Sequence, residues 1–148
     1  MTMLRNHTVD TLLALKDAGL VAASARAQVS SADKIVDLGA GYVEGDIVID
    51  VSAIEIGTGD ESYDIVAQVS SDDDFSDKTK VIERIAIHLG AKGTKRTDGD
   101  VDDTAGRYVI PFDNEFRGTV YRYLSLYTVI AGTIATGINY TAQLAKKM

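Results

Sequence analysis

Three kinds of residue cluster in this chain have types and spacing that bear on chemistry. The run Gly39-Ala40-Gly41-Tyr42-Val43-Glu44-Gly45 has the glycine density of a phosphate-cradling loop. Such loops work because they open a helix whose free N–H groups meet the anion. Here alternating aliphatic residues follow and predict a strand, so the segment is expected to be a turn. Asp72, Asp73, Asp74 and Asp77 form an oxygen-rich cluster of the kind calcium prefers, and Asp98, Asp100 and Asp102 alternate like the start of a calcium loop. The second match fails at its sixth position, Asp103, where glycine is needed, and at its twelfth, Val109, where a bidentate Glu belongs. Solvated turns are the expectation for both, because Asp caps turns and keeps loop tips soluble. The two histidines, His7 and His88, stand far apart in the chain with no serine or cysteine partner marked by motif.

No nucleophile, base and oxyanion set emerges from these clusters, so no catalytic residue, metal or cofactor is expected and the chain does not read as an enzyme. A metal-dependent enzyme of the cupin type needs clustered histidines, which two separated ones cannot supply. Composition narrows the field further. The 148 residues allow one globular domain, 45% of them are hydrophobic, and the core needs no disulfide because there is no Cys. Fifteen Lys and Arg against 22 Asp and Glu leave a formal charge of −7 with no segregated basic patch, which argues against nucleic acid as a partner.

The elements that must position any functional residue fall in two zones. Residues 1–28 are rich in Ala and Leu. Val9, Leu12, Leu13 and Leu20 sit roughly at helical spacing with Asp10 placed to begin a helix, predicting a short helix near 9–18 or else an extended arm that orders against the body or a partner. The segment superficially resembles a secretory leader, but Lys16 and Asp17 interrupt its apolar stretch, and no run is long enough to cross a membrane.

From residue 29 to 148 the pattern is two-residue alternation broken by glycines. Ile47, Ile49 and Val51 point one way, and Val48, Asp50 and Ser52 the other. Tyr63, Ile65, Ala67 and Val69 form one face of the next strand; Val81, Ile85, Ile87 and Leu89 form one face of another. Further strands are predicted at Tyr108–Phe112, Thr119–Ile130 and Ile138–Leu144, with a shorter one near Lys34–Leu38. Many short antiparallel strands without intervening amphipathic helices predict an all-β, two-sheet sandwich or barrel. The lone proline, Pro111, is expected at an edge or bulge.

Two features read as interaction surfaces. In the strand predicted over 119–130, Tyr121, Tyr123 and Tyr127 share one face, and Val120, Leu124, Leu126 and Ile130 the other. Tyrosine joins broad apolar area to a polar tip and is enriched in protein contacts. The connection from Gly90 to Gly106 carries Lys92, Lys95 and Arg96 ahead of four aspartates. Connections of that length on compact domains are often functional.

The runs Lys34–Gly39, Asp46–Val51 and Asp64–Ser71 with Phe75 after them, then Gly106-Arg107-Tyr108, Pro111, Tyr121–Tyr127, Gly132-Thr133 and a closing Ile138–Leu144, resemble the jelly-roll capsid cement (decoration) proteins of tailed bacteriophages over about residues 30–145. The resemblance implies an antiparallel jelly roll of about eight strands that binds the outside of an icosahedral head. It further implies a homodimer that bridges neighbouring major capsid subunits, made in the host cytoplasm and finally part of the virion, with neither nucleic acid nor membrane as partner. On that basis Tyr121, Tyr123 and Tyr127 are candidate subunit contacts, and the N-terminal arm with Lys92, Lys95 and Arg96 is the candidate grip on the shell. The alternative is a carbohydrate-binding jelly-roll module, against which stands the absence of Trp, the usual stacking platform.

Overall fold

The computed structural model describes residues 13–91 and 103–147. Among the described residues six short strands come first: β1 (Ala14–Lys16), β2 (Leu20–Val21), β3 (Ala25–Arg26), β4 (Gln28–Val29), β5 (Ala32–Asp33) and β6 (Val36–Asp37). Four longer ones follow: β7 (Glu44–Ile54), β8 (Ser62–Ser70), β9 (Val81–Leu89) and β10 (Gly106–Asp113). A small ribbon of β11 (Glu115–Phe116) and β12 (Thr119–Val120) precedes β13 (Tyr123–Ala131) and β14 (Ile138–Lys146). No α-helix occurs among the described residues, and the protein is all-β with every strand pairing antiparallel.

The first sheet runs β1–β14–β7–β10 with β2 also on β14; the second runs β3–β13–β8–β9 with β6 also on β13. Their inner faces meet in one core. Ile47, Ile49 and Val51 of β7, with Tyr140 and Leu144 of β14, join Tyr63, Ile65 and Val69 of β8 and Leu124 and Leu126 of β13. Each fully buried Leu or Ile contributes about 1.5–3 kcal/mol, so this shared layer dominates the fold's stability. A polar contact bridges the two sheets within it: the hydroxyls of Thr128 and Tyr140 lie 2.5 Å apart, both side chains buried. Burial also pushes the Tyr140 phenol up to about 12.

The helix expected near 9–18 is not formed over its described part. Ala14–Lys16 is a strand on β14, because Leu15 is fully buried there and the Lys16 ammonium donates to the carbonyls of Asp17, Gly19 and Tyr140 at 2.9, 3.0 and 2.9 Å. Pairing satisfies a backbone that a lone short helix would hold only marginally. The segment expected as an arm is thus laid, where described, along both sheets: β1 and β2 on β14, β3 on β13.

Two bulges alter the predicted faces. Opposite Ala67 and Gln68 the partners are Ile85 and Glu83, so Arg84 is an extra residue in β9. The slip turns Val81 outward beside Ser70, away from the face expected for it, and sends Ile82 inward against Val69. In β7 the partners of Asn139 and Tyr140 are Ala53 and Val51, and Ser52 is the residue passed over.

The β13–β14 turn is held from outside. Backbone N–H groups of Ala135, Thr136 and Gly137 all donate to the Glu55 carboxylate, which holds its pKa down to about 2. Gly137 has φ of 87°, and a Cβ there would overlap the carbonyl of Val21, so no other residue fits.

Tyr140→Phe and Thr128→Val should each lower stability by about 1–3 kcal/mol, leaving a buried hydroxyl alone, whereas the double variant should lose less than their sum. Urea denaturation measures all three. For Glu55 the folded pKa lies below its ordinary 4.5, so its contribution is present above that pH and fades as pH falls toward 2. The thermal midpoint should drop on acidification through this window, with a shallower slope for Glu55→Gln.

Candidate functional site

The outward face of the second sheet collects most of the candidate residues. Along β13 the inward positions are Leu124, Leu126, Thr128 and Ile130, and Tyr123, Ser125, Tyr127 and Val129 point outward. The tyrosine face of β13 is therefore real for two of the three residues. Tyr121 precedes the strand, because the run predicted over 119–130 is broken at Tyr121 and Arg122. Its cause is Asn114, which is fully buried. The Asn114 amide donates to the carbonyls of Gly41 and Tyr121 and accepts from the Val43 N–H, while its own carbonyl accepts from the Tyr121 N–H. Val120 consequently leaves the core face assigned to it and is exposed in the β11–β12 ribbon.

The β8–β9 connection, residues 71–80, divides the tyrosines between two shallow depressions. Tyr121 and Tyr123 line one with Asp72, Asp73, Thr79 and Lys80, about 540 Å³ in volume. Tyr127 lines the other, about 240 Å³, with Arg26, Gln68, Phe75 and Glu83. Phe75 is the anchor of this arrangement: only 5% exposed, it packs on the outside of the sheet. The Arg26 guanidinium sits 4.9 Å from its ring centre and 5.3 Å from that of Tyr127, an arrangement favoured by the negative ring faces. Among the described residues, Arg26 Nη1 and Gln68 Oε1 are buried without a hydrogen-bond partner. Beneath the loop, Val66 and Ser70 are buried although their register points them outward.

A fixed cation flanks the first depression. Arg122 donates to both carboxylate oxygens of Asp37 at 2.8 and 2.9 Å, and its guanidinium lies 5.5 Å from the Tyr123 ring centre. Hydrogen bonds from Arg122 and from the Gly39 N–H hold the Asp37 pKa down to about 2. The glycine-rich segment from Gly39 onward is the turn into β7, opened by that Asp37–Gly39 bond.

The aspartate cluster works as turn chemistry. Asp72 accepts from the Asp74 N–H and pairs with Lys80, Asp74 accepts from the N–H and hydroxyl of Ser76, and Asp77 does the same for Thr79. Among the described residues no group of three or more His, Asp or Glu is arranged to hold a metal ion. His88 pairs through Nδ1 with Asp64 at 2.7 Å across the β8–β9 register, on an exposed surface. His7, Val9, Asp10, Leu12, Lys92, Lys95, Arg96, Asp98, Asp100 and Asp102 lie outside the described residues. No described helix is long and apolar enough to span a membrane.

Sequence reasoning missed Arg26 and Phe75. The available signal was a single large apolar side chain in a run of Asp and Ser, which marks a loop tied down at one point. What this surface offers is non-covalent: aromatic rings and oriented cations over a rigid sheet. Comparison with protein-family models finds no match, and comparison with characterised proteins finds no significant similarity.

Phe75→Ala should cost about 3 kcal/mol. In hydrogen exchange, the amides of residues 71–80 should lose protection well before those of β8 and β13.

Proposed function

We propose that this chain is a structural protein of a tailed-phage head, a jelly-roll cement protein that binds the outer capsid surface and cross-links neighbouring major capsid subunits. The strand order carries this reading. In chain order the path strands β1, β3, β7, β8, β9, β10, β13 and β14 alternate singly or in pairs between the sheets, giving β1–β14–β7–β10 against β3–β13–β8–β9. Two antiparallel sheets linked in this way are what a jelly roll of eight strands and two Greek keys requires. The same fold is what the resemblance to phage cement proteins implies.

Charge and surface chemistry support it. An acidic domain of formal charge −7 suits the outside of a shell better than its DNA-facing lumen. Tyr123 and Tyr127, half-buried and backed by β8, present apolar area with little conformational entropy to lose, as contact residues do. A modest contact repeated over an icosahedral lattice, doubled when a homodimer grips two capsomers, resists internal pressure without any single strong site. The role is mechanical, with no chemistry or cofactor.

The test is co-sedimentation with phage heads prepared without this protein. Wild type should pellet with heads and raise their disruption temperature, and Tyr123→Ser with Tyr127→Ser should weaken pelleting about tenfold or more. Failure of the wild type to pellet, together with a hit on a glycan array, would move the assignment to a carbohydrate-binding sandwich.

A further inference from the structure

We propose that the β11–β12 hairpin is a preformed prong whose tip, Arg117, docks against a carboxylate-bearing recess on the protein shell; this rests on the capsid reading above. In the ribbon Glu115 pairs with Val120 and Phe116 with Thr119, so Arg117 and Gly118 form a two-residue turn. Both have positive φ, 51° and 82°. Turns of this kind favour Asn, Asp or Gly at the first position, because a Cβ there crowds the following carbonyl. An arginine is held in that conformation against its preference.

Nothing in the fold accounts for the choice. The comparable hairpin of β4 and β5 also turns through non-glycine residues, Ser30 and Ser31, with φ of 54° and 63°. There the strain has a local reason, since the Ser30 N–H donates to Asp17 at 2.7 Å. Arg84, Arg107 and Arg122 likewise each form a two-point pair with an aspartate. Arg117 has no carboxylate partner among the described residues; its guanidinium lies 5.1 Å from the Phe116 ring centre. Stacking on that ring restrains the side chain while its N–H donors stay exposed. Strain retained at an exposed position without an internal use points to an external one.

The base of the prong is rigid. Asn114 ties it to Gly41 and Val43 on one side and to Tyr121 on the other, so little ordering remains to be done on contact. Tyr42, 52% exposed, and Val120, 38% exposed, supply apolar area at the same end of the molecule. A charged fork with flanking apolar groups fits a partner recess that offers a carboxylate, which guanidinium binds by two parallel hydrogen bonds.

The test compares wild type, Arg117→Asn and Arg117→Lys by thermal unfolding and by titration onto heads at about 50 and 500 mM salt. Asparagine suits the turn, so its variant should unfold at an equal or higher temperature. Its affinity for heads should fall about tenfold or more, with a flatter salt dependence and the lysine variant in between. Two results overturn the prong while leaving the capsid reading intact: an asparagine variant that binds like wild type, or one that unfolds at a lower temperature. Wild type that ignores heads overturns both.

Discussion

Each of the two sheets has one apolar face that water must not reach, and the other sheet is what covers it. That mutual covering is the constraint on which the remaining structure depends. Strands alternate their side chains with a period of two, so a slip of one residue would deliver an entire apolar set to solvent. The bulges at Arg84 and Ser52 are the local answers to this demand: each uses one extra residue to bring the next aliphatic side chain back inward. The close approaches at the corners follow as well. Gly137 passes against Val21, and Gly132 against Asp60, where a side chain would push neighbouring strands of one sheet apart.

How much of this could be read in advance depends on strand length. Over Ile47–Val51, Tyr63–Val69 and Ile138–Leu144 alternation is long enough to outvote local noise, and these strands stand where the pattern puts them. In Val81–Leu89 the strand is right but the start of its face is wrong: Val81 points outward and Ile82 takes the inward place. A bulge leaves no mark on composition, and Val-Ile-Glu-Arg-Ile alternates equally well in two registers. Residues 13–28 were illegible for another reason. Strands of two or three residues have no period at all, and a segment rich in Ala and Leu favours helix until pairing with β14 and β13 overrides it.

The candidate surface was legible in its parts and not in its arrangement. Tyr123 and Tyr127 face outward as their one-residue offset from Leu124 and Leu126 demands. That Tyr121 would leave the strand required knowing what Asn114 binds: Tyr121 itself, and Gly41 and Val43, which lie some seventy residues away in the chain. The loop at 71–80 was hidden by its own solubility. Its aspartates satisfy backbone donors within the loop, which frees the one apolar residue, Phe75, to fold back over β8 and trap Arg26 between two rings. An acidic stretch thus becomes a roof over a sheet face that alternation alone would leave open to water.

The ends of the sheets bear on how such a domain meets other proteins. β9 and β10 close their respective sheets, and unpaired strand ends of this kind invite pairing with another chain. Both carry features that oppose it. Pro111 removes a donor from β10, the bulge at Arg84 breaks the spacing of β9, and the two-point pair of Arg84 with Asp113 straps one edge to the other. Strand addition is therefore disfavoured where it would be easiest. A protein partner of the kind proposed above would thus be met by side chains on faces and at tips, where geometry is set before contact and selection is by shape and charge, not by the availability of any free backbone edge.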